Sequence, residues 1–329
     1  MARSPRFLPE GGALVEVTTR CLQGRFLLRP CPRVKSIMIG VVARAMERTG
    51  MEVCWLVALS NHAHIQCVPK DQKQLSDFMR YVNSNIARKV SRLFGWKEKF
   101  WGRRYSAIVI VDDEDTQVDR LRYLLEHGVK EDLVSSPLEW PGANAVTAYV
   151  DGSFEMRGHW VDHTGVFEDK KVAERTVSPS GKLRSSKVLE RELEKHHTTE
   201  HKLLLTPIPA WKGLSLHEVS RRIREMVKDI EKKALERHRE CGSKPLGVSA
   251  VLAQDRTNAP AKVKRSPAPR VHARGKSRAE FLKKLKAFVA AYESASRALR
   301  SGKKDPAFPR GCFPPGLPYL EHDPEPAPS

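Results

Sequence analysis

The chain of 329 residues has no apolar run of about 18 residues, the length a helix needs to cross a bilayer. Its start, Met1-Ala2-Arg3-Ser4-Pro5-Arg6, leads into Glu10-Gly11-Gly12 without the apolar centre of a secretory signal. These two absences predict a cytoplasmic protein with no membrane partner. Cysteine is sparse and scattered: Cys21, Cys31, Cys54, Cys67, Cys241 and Cys312 include no C-x-x-C pair. That spacing excludes both a zinc knuckle and a dense disulfide framework. Cys54 and Cys67 fall in strand-like runs and are expected as small buried apolar residues. No internal repeat is present. Acidic residues are in deficit, 39 against 58 basic ones, for a net charge of +19. Such a surplus favours a polyanionic partner, which in the cytoplasm is most often nucleic acid.

The charge is uneven along the chain. Residues 1–165 carry +4 and the remainder +15, and residues 256–310 hold 16 basic and 3 acidic side chains. A run of that kind is either a solvated tail or a grip on a polyanion. Basicity therefore names a class of partner and no reaction.

The first half patterns into alternating elements. Residues 13–20 are β-branched and alternate, as a strand does. Ile37, Val41, Val42, Ala45 and Met46 recur at helical spacing, with Gly50 as a stop. Residues 52–60 form a nearly continuous apolar run suited to a buried central strand, and after a turn at Asn61, residues 62–68 alternate as its hairpin partner. From Gln72 to Leu93 a three-to-four-residue rhythm of Leu75, Phe78, Met79, Val82, Ile86, Val90 and Leu93 predicts a long helix. Residues 106–111 form a fourth strand, and Asp112-Asp113-Glu114 opens a helix to about Glu126 with acid at its positive end.

The order β-α-β-β-α-β-α is the split βαβ of the ferredoxin-like arrangement with one appended helix. It predicts an α/β (α+β) fold: an antiparallel sheet covered by helices on one face, the other face left for a ligand. Residues 1–160 are expected to close as one domain. Residues 161–329 are expected as a basic, mostly helical or disordered C-terminal extension. Within it, helices are expected over about 215–240 and 277–300, with a Pro-, Ala- and Lys-rich linker at about 241–276.

Two local signals carry chemistry. In Asn61-His62-Ala63-His64 the imidazoles at i and i+2 of a strand share one face, close enough to hold one divalent ion. Imidazole suits zinc, manganese, iron or copper better than magnesium. The bland alternative is a chance H-x-H among 12 histidines. The second signal is Tyr123, off the centre of the apolar stripe of Leu121, Leu124 and Leu125, with His127 one turn on along the same face. A tyrosine hydroxyl is a poor nucleophile at neutral pH, and becomes useful against a phosphate polarised by a metal. Its bland alternative is a core-edge tyrosine beside a histidine that interacts with the helix dipole.

Taken together, these residues resemble the HUH single-tyrosine transposases, the IS200-like family, and among them the REP-associated tyrosine transposases. The resemblance spans about residues 3–150. It rests on Arg6-Gly11-Gly12, Val17-Thr18-x-Arg20, Ser60 to His64, the helix with Phe78-Met79 and Asn83-x-x-Ile86-Ala87-Arg88, Phe100-Trp101-x-x-Arg104-Tyr105, the run from Tyr123 to Val134, and Glu139-Trp140-Pro141-Gly142. It implies that His62 and His64 bind Mg²⁺ or Mn²⁺ and that Tyr123 attacks a scissile phosphate of single-stranded or hairpin DNA. The enzyme would stay joined to the 5′ phosphate and free a 3′-OH, keeping the phosphodiester energy for rejoining. Where the family usually has Asn-Pro-Val, this chain has His127-Gly128-Val129. His127 either supplies the third ligand and biases the site toward Mn²⁺, or marks a decayed site; Glu126 is the fallback ligand.

Tyr105, Tyr81 and Tyr149 are rival nucleophiles. Arg3, Arg6, Arg20, Lys97, Lys99, Arg103 and Arg104 are candidates for phosphate contacts, and Phe100 and Trp101 for stacking on an unpaired base. Two rival readings stand beside the transposase: a domesticated, non-cleaving protein that binds DNA hairpins, and an unrelated metal hydrolase that uses His62 and His64 and gives Tyr123 no task. Monomer and dimer are both open.

Overall fold

The computed structural model describes residues 6–176, 186–261 and 269–315. In chain order the elements of the first half are β1 (Leu14–Arg20), α1 (Pro32–Thr49), β2 (Glu52–Ala58), β3 (His62–Val68), α2 (Gln72–Phe94), β4 (Ser106–Ile110), α3 (Glu114–Leu125), α4 (His127–Lys130) and α5 (Val146–Val150). The second half adds β5 (Glu155–Val161), α6 (His163–Thr176), α7 (Ser186–His196), β6 (Thr198–Leu204), α8 (Leu216–Cys241), α9 (Val248–Ala253), β7 (Val271–His272) and α10 (Gly275–Arg300). No described helix is long and apolar enough to cross a membrane.

Punctuation in the sequence sets the helix ends. Pro32 occupies the first turn of α1, and Gly50 ends it in the left-handed region at φ 63°. The Asp71 carboxylate accepts from Gln74 N at 2.7 Å to start α2, and Asp113 accepts from Thr116 N at 2.8 Å to start α3. Glu114 and Asp115 then complement the positive end of the α3 dipole.

The main sheet runs β2-β3-β1-β4-β7, with β1 antiparallel to both β3 and β4. β3 is inserted between the parallel pair β1 and β2, which is the predicted split βαβ topology. From Val53 to Ala58 every residue of β2 is buried, yet the strand expected at the centre is the edge of the sheet; isolated bridges from Val53 to Leu205 and from Val57 to Asn144 cover its outer side. Cys54 and Cys67 are buried in the core, and burial pushes the Cys54 thiol up to about 12. The βαβ helices α1 and α2 cover one face. On the other face Glu16, Thr18, His62 and His64 turn toward the appended α3.

The second half is tied to this core more closely than composition suggests. β5 and β6 form an antiparallel pair, a hairpin opened by the insertion of α6 and α7, that straddles residue 160 and lies on α1. β7 extends the main sheet by pairing parallel to β4, Val109 opposite Val271. α8, within the stretch where a helix is expected, buries Val219, Ile223, Val227, Ile230 and Ala234 and packs on α5 and α4. The stretch expected as a linker, 241–276, contains α9 and β7, while 262–268 lie outside the described residues. Backbone contacts hold it: Leu246 N donates to Asp132 O, and Phe26 N to Asn258 O. Main-chain bonds of this kind leave no hydrophobic period to read. α10 brings Phe281 and Phe288 against Phe7, both at 5.3 Å between centroids.

The seat of the hairpin on α1 depends on two glycines. A Cβ on Gly40 would stand 2.4 Å from the His159 carbonyl oxygen, and one on Gly158 would stand 2.3 Å from Gly40 N. Both close neighbours are backbone, so neither can swing aside. Gly40→Ala should lower stability by about 1–3 kcal/mol, the cost of overpacking, seen as a lower urea midpoint. An unchanged midpoint would mean that the hairpin does not rest on α1.

Candidate active site

Three imidazoles meet on the α3 side of the sheet. His62 and His64 are two residues apart on β3, so the pleat aims both rings the same way. His127 enters from the start of α4, immediately after α3. One ligand-capable nitrogen from each ring lies within 4.8 Å of the others, and this is the one such group found among the described residues. His62 Nε2 and His127 Nε2 are 3.0 Å apart. Two nitrogens bound at about 2.1 Å to one ion, at a right angle, would have roughly this separation.

The surroundings fix which nitrogens face inward. Glu16, on the neighbouring strand β1, lies 3.1 Å from His64 Nδ1, and Thr18 Oγ1 is also at 3.1 Å. With Nδ1 engaged by the carboxylate, the ring turns its Nε2 toward the cluster. That Nε2 is buried and has no hydrogen-bond partner, and the same is true of His127 Nδ1. His62 Nδ1 meets the Asn61 side-chain oxygen, which leaves His62 Nε2 for the shared space. Converging imidazole nitrogens, with the His64 ring held from behind by a carboxylate and the His62 ring by an amide, fit the donor set of a metal centre.

Burial works on the same groups. It pushes the His127 imidazole down to about 3, with His64 adding to the effect, so the ring is neutral at physiological pH. For Glu16, burial raises the carboxyl pKa, but the hydrogen bond and charge of His64 together with Arg120 outweigh it and hold it at about 2. Arg120 is on α3, one turn before Tyr123. It grips Glu16 in a fork at 2.7–3.0 Å, and its guanidinium carbon lies 4.1 Å from the centroid of the Tyr123 ring. Tyr123 also meets the His127 ring edge-on at 5.3 Å and the Lys130 ammonium at 4.8 Å. The structure thus brings Tyr123, His62, His64 and His127 together. Glu126 is 4.0 Å from Lys130 and outside the cluster.

The rival tyrosines stand elsewhere. The Tyr149 hydroxyl is buried and donates to Cys54 O at 2.6 Å, and burial raises its pKa well above the ordinary value. Tyr81 stacks on Trp160, and Tyr105 lies beneath the Arg6 guanidinium at 3.6 Å.

The candidate DNA contacts divide. Arg20 pairs with His62 across β1 and β3 and shares the face of Glu16 and Thr18. Lys97, Lys99, Arg103 and Arg104 are exposed on the segment between α2 and β4. Arg6 is half-buried and donates to Tyr105 O, so packing occupies it. Arg3 lies outside the described residues. Phe100 is buried, which removes its face from any base, and Trp101 is partly buried with its indole N–H donating to Asn83 O at 2.8 Å.

Sequence reasoning missed Glu16, Arg120, Lys130 and His272. His272 of β7 is partly buried; burial pushes its imidazole down to about 4, Arg120 adds to this and Glu16 opposes it. The signal for Glu16 was present, since an acid in an otherwise apolar strand is costly unless paired.

Residues 31–124 match the family model described as "Transposase IS200 like", so the likeness read in the sequence is borne out over the segment that holds His62, His64 and Tyr123. No curated protein matches the chain. Among solved structures, a REP-associated tyrosine transposase bound to a REP hairpin is similar at 17% identity and TM-score 0.36, covering 43% of this chain and 81% of its own. A putative transposase from Deinococcus radiodurans R1 is similar at 13% identity and TM-score 0.27, covering 37% of this chain and 95% of its own.

These shifts give a pH signature in metal-free buffer. Between about pH 6.5 and 3 the unfolded chain protonates His127 while the folded chain does not, so stability falls with acidification. Glu16 contributes stability present above its unfolded pKa, lost as pH falls toward about 2. His127→Asn should flatten the loss between pH 6.5 and 4.5 in urea midpoints. Equal slopes for wild type and variant would contradict a neutral, buried imidazole.

Proposed function

We propose that the protein is a metal-dependent tyrosine transposase that cuts and rejoins single-stranded or hairpin DNA through a 5′-phosphotyrosine linkage. The observation that carries this reading is the meeting of a phenol with three converging imidazoles on the α3 side of the sheet. A Mg²⁺ or Mn²⁺ held by His62, His64 and His127 would supply Lewis-acid polarisation of the scissile phosphate. Three imidazoles favour Mn²⁺ of the two.

The chain's own groups have separable tasks. The Tyr123 oxygen attacks phosphorus and the P–O3′ bond breaks. The phenol loses its proton, the departing 3′ oxygen gains one, and reversal of the step by a 3′-OH rejoins the strand. Arg120 and Lys130 put positive charge beside the ring where the attacking oxygen and the phosphate are negative. Glu16 positions His64 through Nδ1 and is itself fixed by Arg120, so ligand and nucleophile are held by one fork. Arg20 and the exposed Lys97, Lys99, Arg103 and Arg104 are on this reading the candidates for contacts to the DNA backbone. The catalytic unit on this reading is residues 1–160, with the basic extension as its support.

The test uses a labelled hairpin oligonucleotide with Mn²⁺, run on a denaturing gel. Wild type should give a covalent adduct, and Tyr123→Phe and His64→Ala should give none. An adduct that persists in Tyr123→Phe reassigns the nucleophile; no adduct from wild type, with hairpin binding retained, favours the non-cleaving binder. Separately, Glu16→Gln should weaken Mn²⁺ binding about 10–100-fold in calorimetry, the usual cost of losing the partner behind a ligating histidine. Unchanged affinity would remove Glu16 from the metal site.

A further inference from the structure

Behind α1 and α2, on the side of the sheet away from the imidazoles, a groove of about 840 Å³ runs along the seam between core and extension. Its core wall carries Arg33 and Lys35 from the first turns of α1 and Lys89 and Arg92 from α2. Its other wall carries Arg157 of β5 and Arg191 and Lys195 of α7. Two carboxylates share it, Glu190 and Glu194. Glu190 is already paired to Arg92 at 3.1 Å and Lys170 at 3.4 Å. Arg33, Lys35, Arg191 and Lys195 are exposed, and none forms an ion pair with a described residue. The N-terminal turn of α1 adds the positive end of an 18-residue helix to the same wall.

We propose that this groove is a second DNA-binding surface, which holds the sugar-phosphate backbone of a segment distinct from the one at the imidazole face. The shape selects the occupant. A concave channel cannot lie against a flat bilayer, and cations spread along two walls suit a repeating anion better than one small ion. The cations do not belong to one element: they come from α1, α2, β5 and α7. The groove exists only because the hairpin of β5 and β6 sits on α1. The inference shares with the proposed function only the class of partner and does not depend on cleavage.

The discriminating variant is Arg33→Gln, Lys35→Gln, Arg191→Gln and Lys195→Gln together, in the full chain. Its affinity for a 40-base-pair duplex without a hairpin is measured across NaCl concentrations. Each phosphate neutralised contributes about −0.9 to the slope of log K on log salt. The variant should therefore show a slope shallower by about 3, with an unchanged thermal midpoint. Arg33→Lys with Arg191→Lys should keep the wild-type slope, because charge is conserved. A quadruple variant with the wild-type slope overturns the proposal. So does a wild-type duplex affinity that millimolar inorganic phosphate abolishes, since that marks a small-anion site. Adduct formation on the short hairpin is read in parallel: its absence from wild type speaks against the proposed function and leaves the slope result standing.

Discussion

The Glu16 carboxylate is the constraint on which the site depends. It sits on β1, a strand whose neighbours Val15 and Val17 are almost wholly buried, and it is itself 2% exposed. A carboxylate there costs several kcal/mol in desolvation unless matched by opposite charge and hydrogen bonds. Arg120 supplies both from α3 and His64 supplies a third contact from β3. Satisfying this one acid therefore forces three elements into register: the strand that carries the imidazoles, the strand beside it and the helix that carries the phenol. Removal of either partner strands a buried charge, which is why the arrangement is rigid where a surface ion pair would not be.

The same constraint explains the division of the sheet into two faces. α1 and α2 take up the apolar side in the manner common to split βαβ folds, which frees the polar side for one more helix. α3 buries Leu121, Leu124 and Leu125, and its Arg120 and Tyr123 reach Glu16 and His127. α8 in turn packs against α4 and α5, and Arg237 donates to Val129 O at 3.0 Å, so the extension steadies the turn that presents His127. The basic tail is thus partly architecture. Its charges are spent on the outer faces, while Ile223, Val227 and Ile230 do the packing.

Much of the core was legible because it obeys periodicity. The first four strands and first three helices follow from alternation, helical spacing and caps such as Asp71, Asp113 and Gly50. The H-x-H spacing and the Tyr123-to-His127 step each fixed a side-chain direction within one element, and only the fold could set one element against the other. What resisted reading was long-range pairing. β7 is two residues long and pairs with β4 across more than 150 positions, and β5 meets β6 across a polar stretch with no apolar signal. Residues 246–258 are held by main-chain bonds that side chains do not announce. Arg6 shows the reverse error: a basic residue near the start reads as solvent-facing, yet its guanidinium lies flat on Tyr105 and burial lowers its pKa to about 10.

The choice between a cleaving enzyme and a binder turns on what the imidazoles cost. His64 Nε2 and His127 Nδ1 are buried without partners, and an unsatisfied buried polar atom costs about 1–3 kcal/mol. A protein that only gripped hairpins through basic side chains would need none of this: apolar residues at these positions would pack as well and carry no penalty. The rings are also held in orientation, by Glu16 at one and Asn61 at another, which serves a ligand and not a core. A divalent cation would convert the cost at His64 Nε2 into coordination, so the metal reading accounts for a buried polar atom that the binding-only reading leaves unexplained.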